Sequence, residues 1–229
     1  MAALAAAVDA VQALRPPPDA VLVTGDLTEH SDDAEYDQVR DLLASLDAPL
    51  LLLPGNHDDP AALRRHFAVP GEDAGPVQYA ADLGPLRLVV IDTTVPGEDP
   101  GALDDERLSW LDAELAAAQD VPTILAMHHP PLVTGIPPLD AIGLPPGDRR
   151  ALELVVERHP QVRRIVAGHM HRPITSELAG RVVLAVPSTY MQARLDLLTN
   201  ELHTVPDPAG FALHVLHDGE LISHVQTVS

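Results

Sequence analysis

Cysteine and lysine are both missing from this chain of 229 residues. Without cysteine there are no disulfides, no thiolate nucleophile and no thiolate zinc site, and the redox compartment is left undecided. All 14 cationic side chains are therefore arginine, set against 34 acidic ones for a formal net charge of −20. So acidic a surface argues against nucleic acid and anionic membrane as partners, since both need a basic face. Aromatic residues make up 3% of the sequence, which leaves few rings to stack on a base, Tyr79 and Tyr190 being the available ones. No apolar run approaches the length of a membrane span. The opening "MAALAAAVDAVQAL" has no basic start and carries Asp9, so it reads as an amphipathic helix rather than a signal peptide, and a cytoplasmic protein is expected.

What is present is enough for one core, because 46% of the residues are hydrophobic and the length suits a single domain over 1–229. Short apolar runs alternate with helical periodicity, which predicts an α/β layered architecture. The strand candidates are "AVLVTG", "PLLLLPG", "LRLVVIDTT", "TILAMHH", "RIVAGH" and "RVVLAVPS", and helices are expected over "DDAEYDQVRDLLASL", "DDERLSWLDAELAAA" and "GDRRALELVVERH". A C-terminal hairpin is expected over about 210–228, turning at Asp218-Gly219. Two Pro-rich loops, "TVPGEDPGALDD" and "HHPPLVTGIPPLDAIGLPPGD", are long enough to wall a site, the second with Arg149 or Arg150 nearby.

Polar residues interrupt the apolar pattern at particular places. Asp26 ends "VLVTGD", Asn56 and His57 end "LLLLPGNHD", His128 and His129 end "TILAMHH", and His169 and His171 end "RIVAGHMH". In an open α/β sheet the carboxyl ends of neighbouring strands share one edge, so these side chains converge there. Each has a plainer reading taken alone. Asp26 after Gly25 could cap or turn, Asn56 could occupy a left-handed turn, and one of the paired histidines could be a core imidazole.

Taken in this order, Gly25-Asp26, "GNHD" at 55–58, "HHPP" at 128–131 and "GHMH" at 168–171 resemble the blocks of the calcineurin-like metallophosphoesterase superfamily. The flanking text is similar to its bacterial branch of class III cyclic-nucleotide phosphodiesterases and glycerophosphodiesterases. The resemblance implies a four-layer α-β-β-α sandwich and hydrolysis of a small phosphodiester, a 3',5'-cyclic nucleotide or a glycerophosphodiester, by a metal-bound hydroxide. It implies two divalent transition metals, with Asp26 bridging, Asn56, His128 and His169 on the second metal and His171 on the first. The mixed N/O donor set suits Mn, Fe, Co or Zn. His57 matches the residue that contacts the phosphate and protonates the leaving group, and His129 is expected to orient or shield the ligand beside it. A homo-oligomer is compatible with the sequence.

The family's opening strand, which ends in Asp-x-His, has no match here, so an N-terminal strand is expected to be missing and the first metal to keep only Asp26 and His171. The second site would then be the only one fully formed. The alternative to a phosphodiesterase is a non-catalytic scaffold on the same fold, and metal analysis separates the two.

Overall fold

The computed structural model describes residues 1–70 and 75–228. Six strands form its larger sheet: β3 (Tyr79–Leu83), β4 (Leu86–Val90), β5 (Thr123–Met127), β6 (Val162–Ala167), β7 (Ile174–Leu178) and β8 (Arg181–Ala185), in the spatial order β3-β4-β5-β6-β8-β7. The inner pairs β4-β5, β5-β6 and β6-β8 are parallel, and β3 and β7 close the edges antiparallel. The smaller sheet is one parallel pair, β1 (Val21–Val23) and β2 (Leu50–Leu52).

Alternation along each strand divides the apolar side chains between two faces, and that division builds the layers. Leu51 and Leu53 on the small sheet meet Leu88, Val90, Ile124, Ala126 and Val166 on the large one. The far face of the large sheet, with Val89, Ile91, Leu125, Met127 and Ile165, is covered by α4 (Asp105–Ala116) and α6 (Pro146–Glu157) through Leu111, Leu115, Leu152 and Val156. The far face of the small sheet is covered by α1 (Ala2–Gln12), α2 (Asp33–Leu43) and α3 (Pro60–His66), which bring Val8, Tyr36, Val39, Leu43 and Leu63 against Leu52. The order is therefore helices, sheet, sheet, helices. Each interior side chain stabilises this stack by about 1.5–3 kcal/mol on transfer from water.

The expected C-terminal hairpin is present as β11 (Gly210–His217) and β12 (Glu220–Thr227). Asp218 and Gly219 have φ of 49° and 81°, as a type I′ turn requires. It lies on the inner face of the large sheet, where Arg164 donates to the Leu221 carbonyl at 2.7 Å and Leu221 joins the inter-sheet core. A short pair, β9 (Gln192–Ala193) and β10 (Thr204–Val205), and a one-turn helix, α5 (Pro137–Ala141), complete the described elements. No helix among the described residues is long and apolar enough to cross a membrane.

Candidate metal centre

Parallel strands bring their carboxyl ends to one edge, and the register makes neighbours of residues far apart in sequence. Met127 pairs with Ala167, and the next residues continue the match, since Gly168 N donates to the His128 carbonyl at 3.1 Å. His128 and His169 therefore leave the large sheet side by side. Asp26 and Asn56 arrive from beyond β1 and β2. Here the plain reading of Asn56 as a left-handed turn residue fails, because the left-handed residues at the site are Asp26, His169 and His171, with φ of 55°, 63° and 47°. Non-glycine residues hold that conformation at a cost of about 1–3 kcal/mol, and such strain gathers where side chains must be aimed.

Three donor atoms meet within 3.0–3.1 Å of one another, and a fourth stands beside one of them. His128 Nε2 lies 3.1 Å from Asn56 Oδ1, 3.1 Å from His169 Nδ1 and 3.3 Å from Asp26 Oδ2, and His169 Nδ1 lies 3.0 Å from Asn56 Oδ1. The opposite ring nitrogens are committed, His128 Nδ1 to the Thr24 carbonyl at 2.7 Å and His169 Nε2 to the Ile142 carbonyl at 2.9 Å. Those partners assign the tautomers and leave lone pairs on the two nitrogens that face each other. Two ligands about 2.1 Å from one cation, at angles between about 90° and 109°, stand roughly 3.0–3.4 Å apart. The observed spacings fall in that range. The donor set of two imidazoles, one amide oxygen and one carboxylate fits a divalent transition metal.

Electrostatics agree with a demand for positive charge. Burial alone would raise the Asp26 carboxyl, but His128 beside it and the His57 N–H at 3.2 Å outweigh burial and hold it well below the usual carboxylate range. Burial works against a proton on His128 too, yet Asp26 and the Thr24 carbonyl lift it above an ordinary imidazole. His169 is brought down to about 3, first by burial and then by His128. A proton on His128 Nε2 and a cation beside Asp26 would exclude each other.

His129 stands within 4.8 Å of both His128 and His169 and could be counted with them as a ligand. Its nitrogens say otherwise. Nε2 donates to the Asp99 carbonyl at 3.0 Å and Nδ1 accepts from Thr93 Oγ1 at 2.8 Å. Burial, with His128 and His169 adding to it, lowers its pKa to about 2, which keeps it neutral as a buttress between those hydrogen bonds. His171 Nδ1 donates to the Met191 carbonyl at 3.0 Å, which frees Nε2, and burial lowers its pKa. His57 is exposed, with Nδ1 3.3 Å from the Glu29 carbonyl.

Asp58 is the residue that sequence reasoning passed over. It is buried and receives Leu27 N, Gly55 N, Thr28 Oγ1 and Tyr36 Oη, at 2.9–3.3 Å, so it ties the loop after β1 to the loop after β2 and to α2. Burial raises its carboxyl in spite of those donors. Gly55 has a steric reason, for a Cβ there would come within 2.0 Å of Asp26 Oδ1. One expectation needs correcting. Tyr79 offers no stacking surface, being buried on β3 with its hydroxyl donating to the Leu52 carbonyl at 2.9 Å. Arg149 and Arg150 do lie beside the second Pro-rich loop, lining a cleft with Pro131, Leu132 and Val133, where Arg149 donates to the Leu132 carbonyl and Arg150 pairs with Glu153 and Glu157.

Residues 1–173 match the family model for calcineurin-like phosphoesterases. The chain belongs to that family. It is 39% identical over 189 residues to the glycerophosphodiester phosphodiesterase GpdQ of Enterobacter lignolyticus, covering 81% of this chain and 67% of that one. It is 30% identical over 211 residues to the 3',5'-cyclic adenosine monophosphate phosphodiesterase CpdA of Escherichia coli K12, covering 92% and 75%. The fold is similar to the purple acid phosphatase PPD1 of yellow lupin, with a TM-score of 0.75 at 18% identity over 98% of this chain and 46% of that protein. Family membership places divalent metal ions in its chemistry, and the four converging donors are where this chain can hold one.

Proposed function

We propose that this calcineurin-like phosphoesterase is a metal-dependent phosphodiesterase acting on a small phosphodiester, a 3',5'-cyclic nucleotide or a glycerophosphodiester. The observation that carries the reading is the convergence of Asn56 Oδ1, His128 Nε2 and His169 Nδ1 within 3.0–3.1 Å of one another, with Asp26 Oδ2 3.3 Å from His128 Nε2. The relatives supply the diester class, and the net charge of −20 favours a small substrate over a polyanion.

A divalent cation in this site supplies a Lewis acid for the phosphoryl oxygen and acidifies a water near neutral pH. The chain's residues do the rest. Thr24 and Ile142 carbonyls aim the two imidazoles, and Asp26 and His171 are the residues that would hold a second cation. His57, exposed with its Nδ1 beside the Glu29 carbonyl, is the residue assigned to protonate the leaving oxygen. Tyr190, 71% exposed and next to the Met191 that receives His171, is the ring left for a base. A cytoplasmic setting and a homo-oligomer are part of the same reading.

The test supplies Mn²⁺ to the chain and follows bis(p-nitrophenyl) phosphate, then 3',5'-cyclic AMP and glycerophosphocholine. Turnover that stops on adding EDTA supports the proposal. Turnover that survives complete chelation, or no turnover of any diester by metal-loaded protein, removes it.

A further inference from the structure

Of the four converging donors, Asn56 is the one that can face the wrong way. A carboxylate presents equivalent oxygens, and each imidazole is aimed by a carbonyl on its far nitrogen, but an amide turned by a half rotation offers N–H donors in place of a lone pair. The immediate neighbours do not hold it correctly. His169 Nδ1, 3.0 Å from Asn56, carries a lone pair because Nε2 donates to Ile142, and a lone pair there favours the amide nitrogen as its neighbour. The group on the other side decides the orientation. Asp99 Oδ1 stands 3.4 Å from Asn56 Nδ2 and accepts from it.

The main chain of Asp99 is itself fastened. Its carbonyl receives His129 Nε2 at 3.0 Å, the same ring accepts from Thr93 Oγ1 at 2.8 Å, and Thr93 Oγ1 accepts from His129 N at 3.1 Å. The loop lies so close to the ring that a Cβ on Gly101 would come within 2.6 Å of His129 Cγ. A buried strand end thus carries a loop from which the exposed Asp99 carboxylate reaches the amide.

We infer that Asp99 is a positioning residue: on the loop braced by His129 and Thr93, it turns the Asn56 amide so that Oδ1 faces the cation and, as an anion on the amide nitrogen, strengthens that oxygen as a donor. The inference rests on the metal reading of the same site. Partners behind a ligand are worth about 10–100-fold in metal affinity when removed, and a single exposed hydrogen bond belongs at the lower end of that range.

The experiment titrates the full chain with Mn²⁺ alone, reading free Mn²⁺ by its paramagnetic resonance signal, for wild type, Asp99→Ala, Asp99→Asn, Asn56→Ala and the Asn56→Ala/Asp99→Ala double variant. Asp99 is exposed, so the fold does not depend on its side chain, and an unchanged thermal midpoint without added metal confirms that. The expected result is about tenfold weaker Mn²⁺ binding for Asp99→Ala, an intermediate value for Asp99→Asn, which keeps an acceptor without the charge, and no further loss when Asp99→Ala is added to Asn56→Ala. Equal affinity of Asp99→Ala and wild type overturns this inference alone. So does a loss that is as large in the Asn56→Ala background, because it would come from the missing charge rather than the amide. A wild type that takes up no Mn²⁺ overturns the metal reading, and this inference with it.

Discussion

The large sheet delivers His128 and His169 from strands largely buried, whereas the small sheet delivers Asp26 and Asn56 from three-residue strands and the loops beyond them. All five residues of β5 are buried, and so are the last three of β6, while the three residues of β1 are half-buried. His128 and His169 leave those buried strands with their far nitrogens already on backbone carbonyls. Asp26 and Asn56 depend instead on side chains: Asp58 gathers the loops that carry them, and Asp99 holds the amide. The nitrogen side of the site is set by the sheet, and the oxygen side is set by carboxylates outside the coordination point. Substitutions on the oxygen side should therefore act through geometry, and those on the nitrogen side through the ligand itself.

The largest effect is expected at the residue both sides share. Asp26→Ala should lower kcat/KM for an activated diester by about 10³-fold or more, since it removes the carboxylate that meets His128 and several kcal/mol of charge stabilisation with it. Stoichiometric metal and a rate within tenfold of wild type would show that Asp26 is not central. Next comes Asp58→Ala, which orphans two backbone N–H groups and two hydroxyls in a buried setting and should cost about 3 kcal/mol of stability in denaturant melts. Asp58→Asn should cost less, as it keeps an acceptor; equal costs would mean that charge, and not the number of bonds, ties the loops together.

His57 lies on the oxygen side but is not one of the donors, so it separates chemistry from metal holding. His57→Ala should lower kcat by about 10²-fold with bound metal nearly unchanged, the scale of a lost general acid. Loss of metal from this variant would assign it to the ligands instead. The smallest effect belongs to the large-sheet side, far from the metal. Burial, and then Arg164, brings His214 down to about 4, against an ordinary value of 6.5. Below about pH 6.5 the unfolded chain therefore takes up a proton that the folded chain refuses. Stability is full above that pH and is lost as pH falls from 6.5 toward 4. His214→Gln should flatten that decline by about 1–2 kcal/mol in melts at pH 7 and pH 4.5. A variant whose decline matches wild type would place the acid sensitivity elsewhere.

Much of this comparison was legible in the residues, for physical reasons. β-branched and Leu-rich runs ending in polar residues show both the strands and the edge on which they deposit those side chains, since the pattern is local and repeats. That is why Asp26, Asn56, His128 and His169 could be named before their contacts were known. His129 could be set beside Asn56, His128 and His169, though its grip on Asp99 and Thr93 could not be foreseen, because two segments distant in sequence have to meet first. Asp58 and Asp99 were illegible for the same reason: one acid among 34 carries no local mark of accepting four donors or of facing an amide. α3 left a signal that went unused, Asp59 before Pro60, a capping acid and a first-turn proline, and Asp59 does accept from Ala62 N at 2.8 Å. Tyr79 misled because an aromatic in an alternating stretch can point either way, and its hydroxyl found the backbone of β2 across the core.

The central claim is that four side chains from two sheets hold one divalent cation between them. The most direct measurement is an anomalous difference map, recorded above the manganese absorption edge, from crystals of the full chain grown with MnCl₂. The account predicts the strongest peak among Asp26 Oδ2, Asn56 Oδ1, His128 Nε2 and His169 Nδ1, with His129 still bonded to Thr93 and Asp99. A peak bound to His129, or no peak among those four atoms, would contradict it.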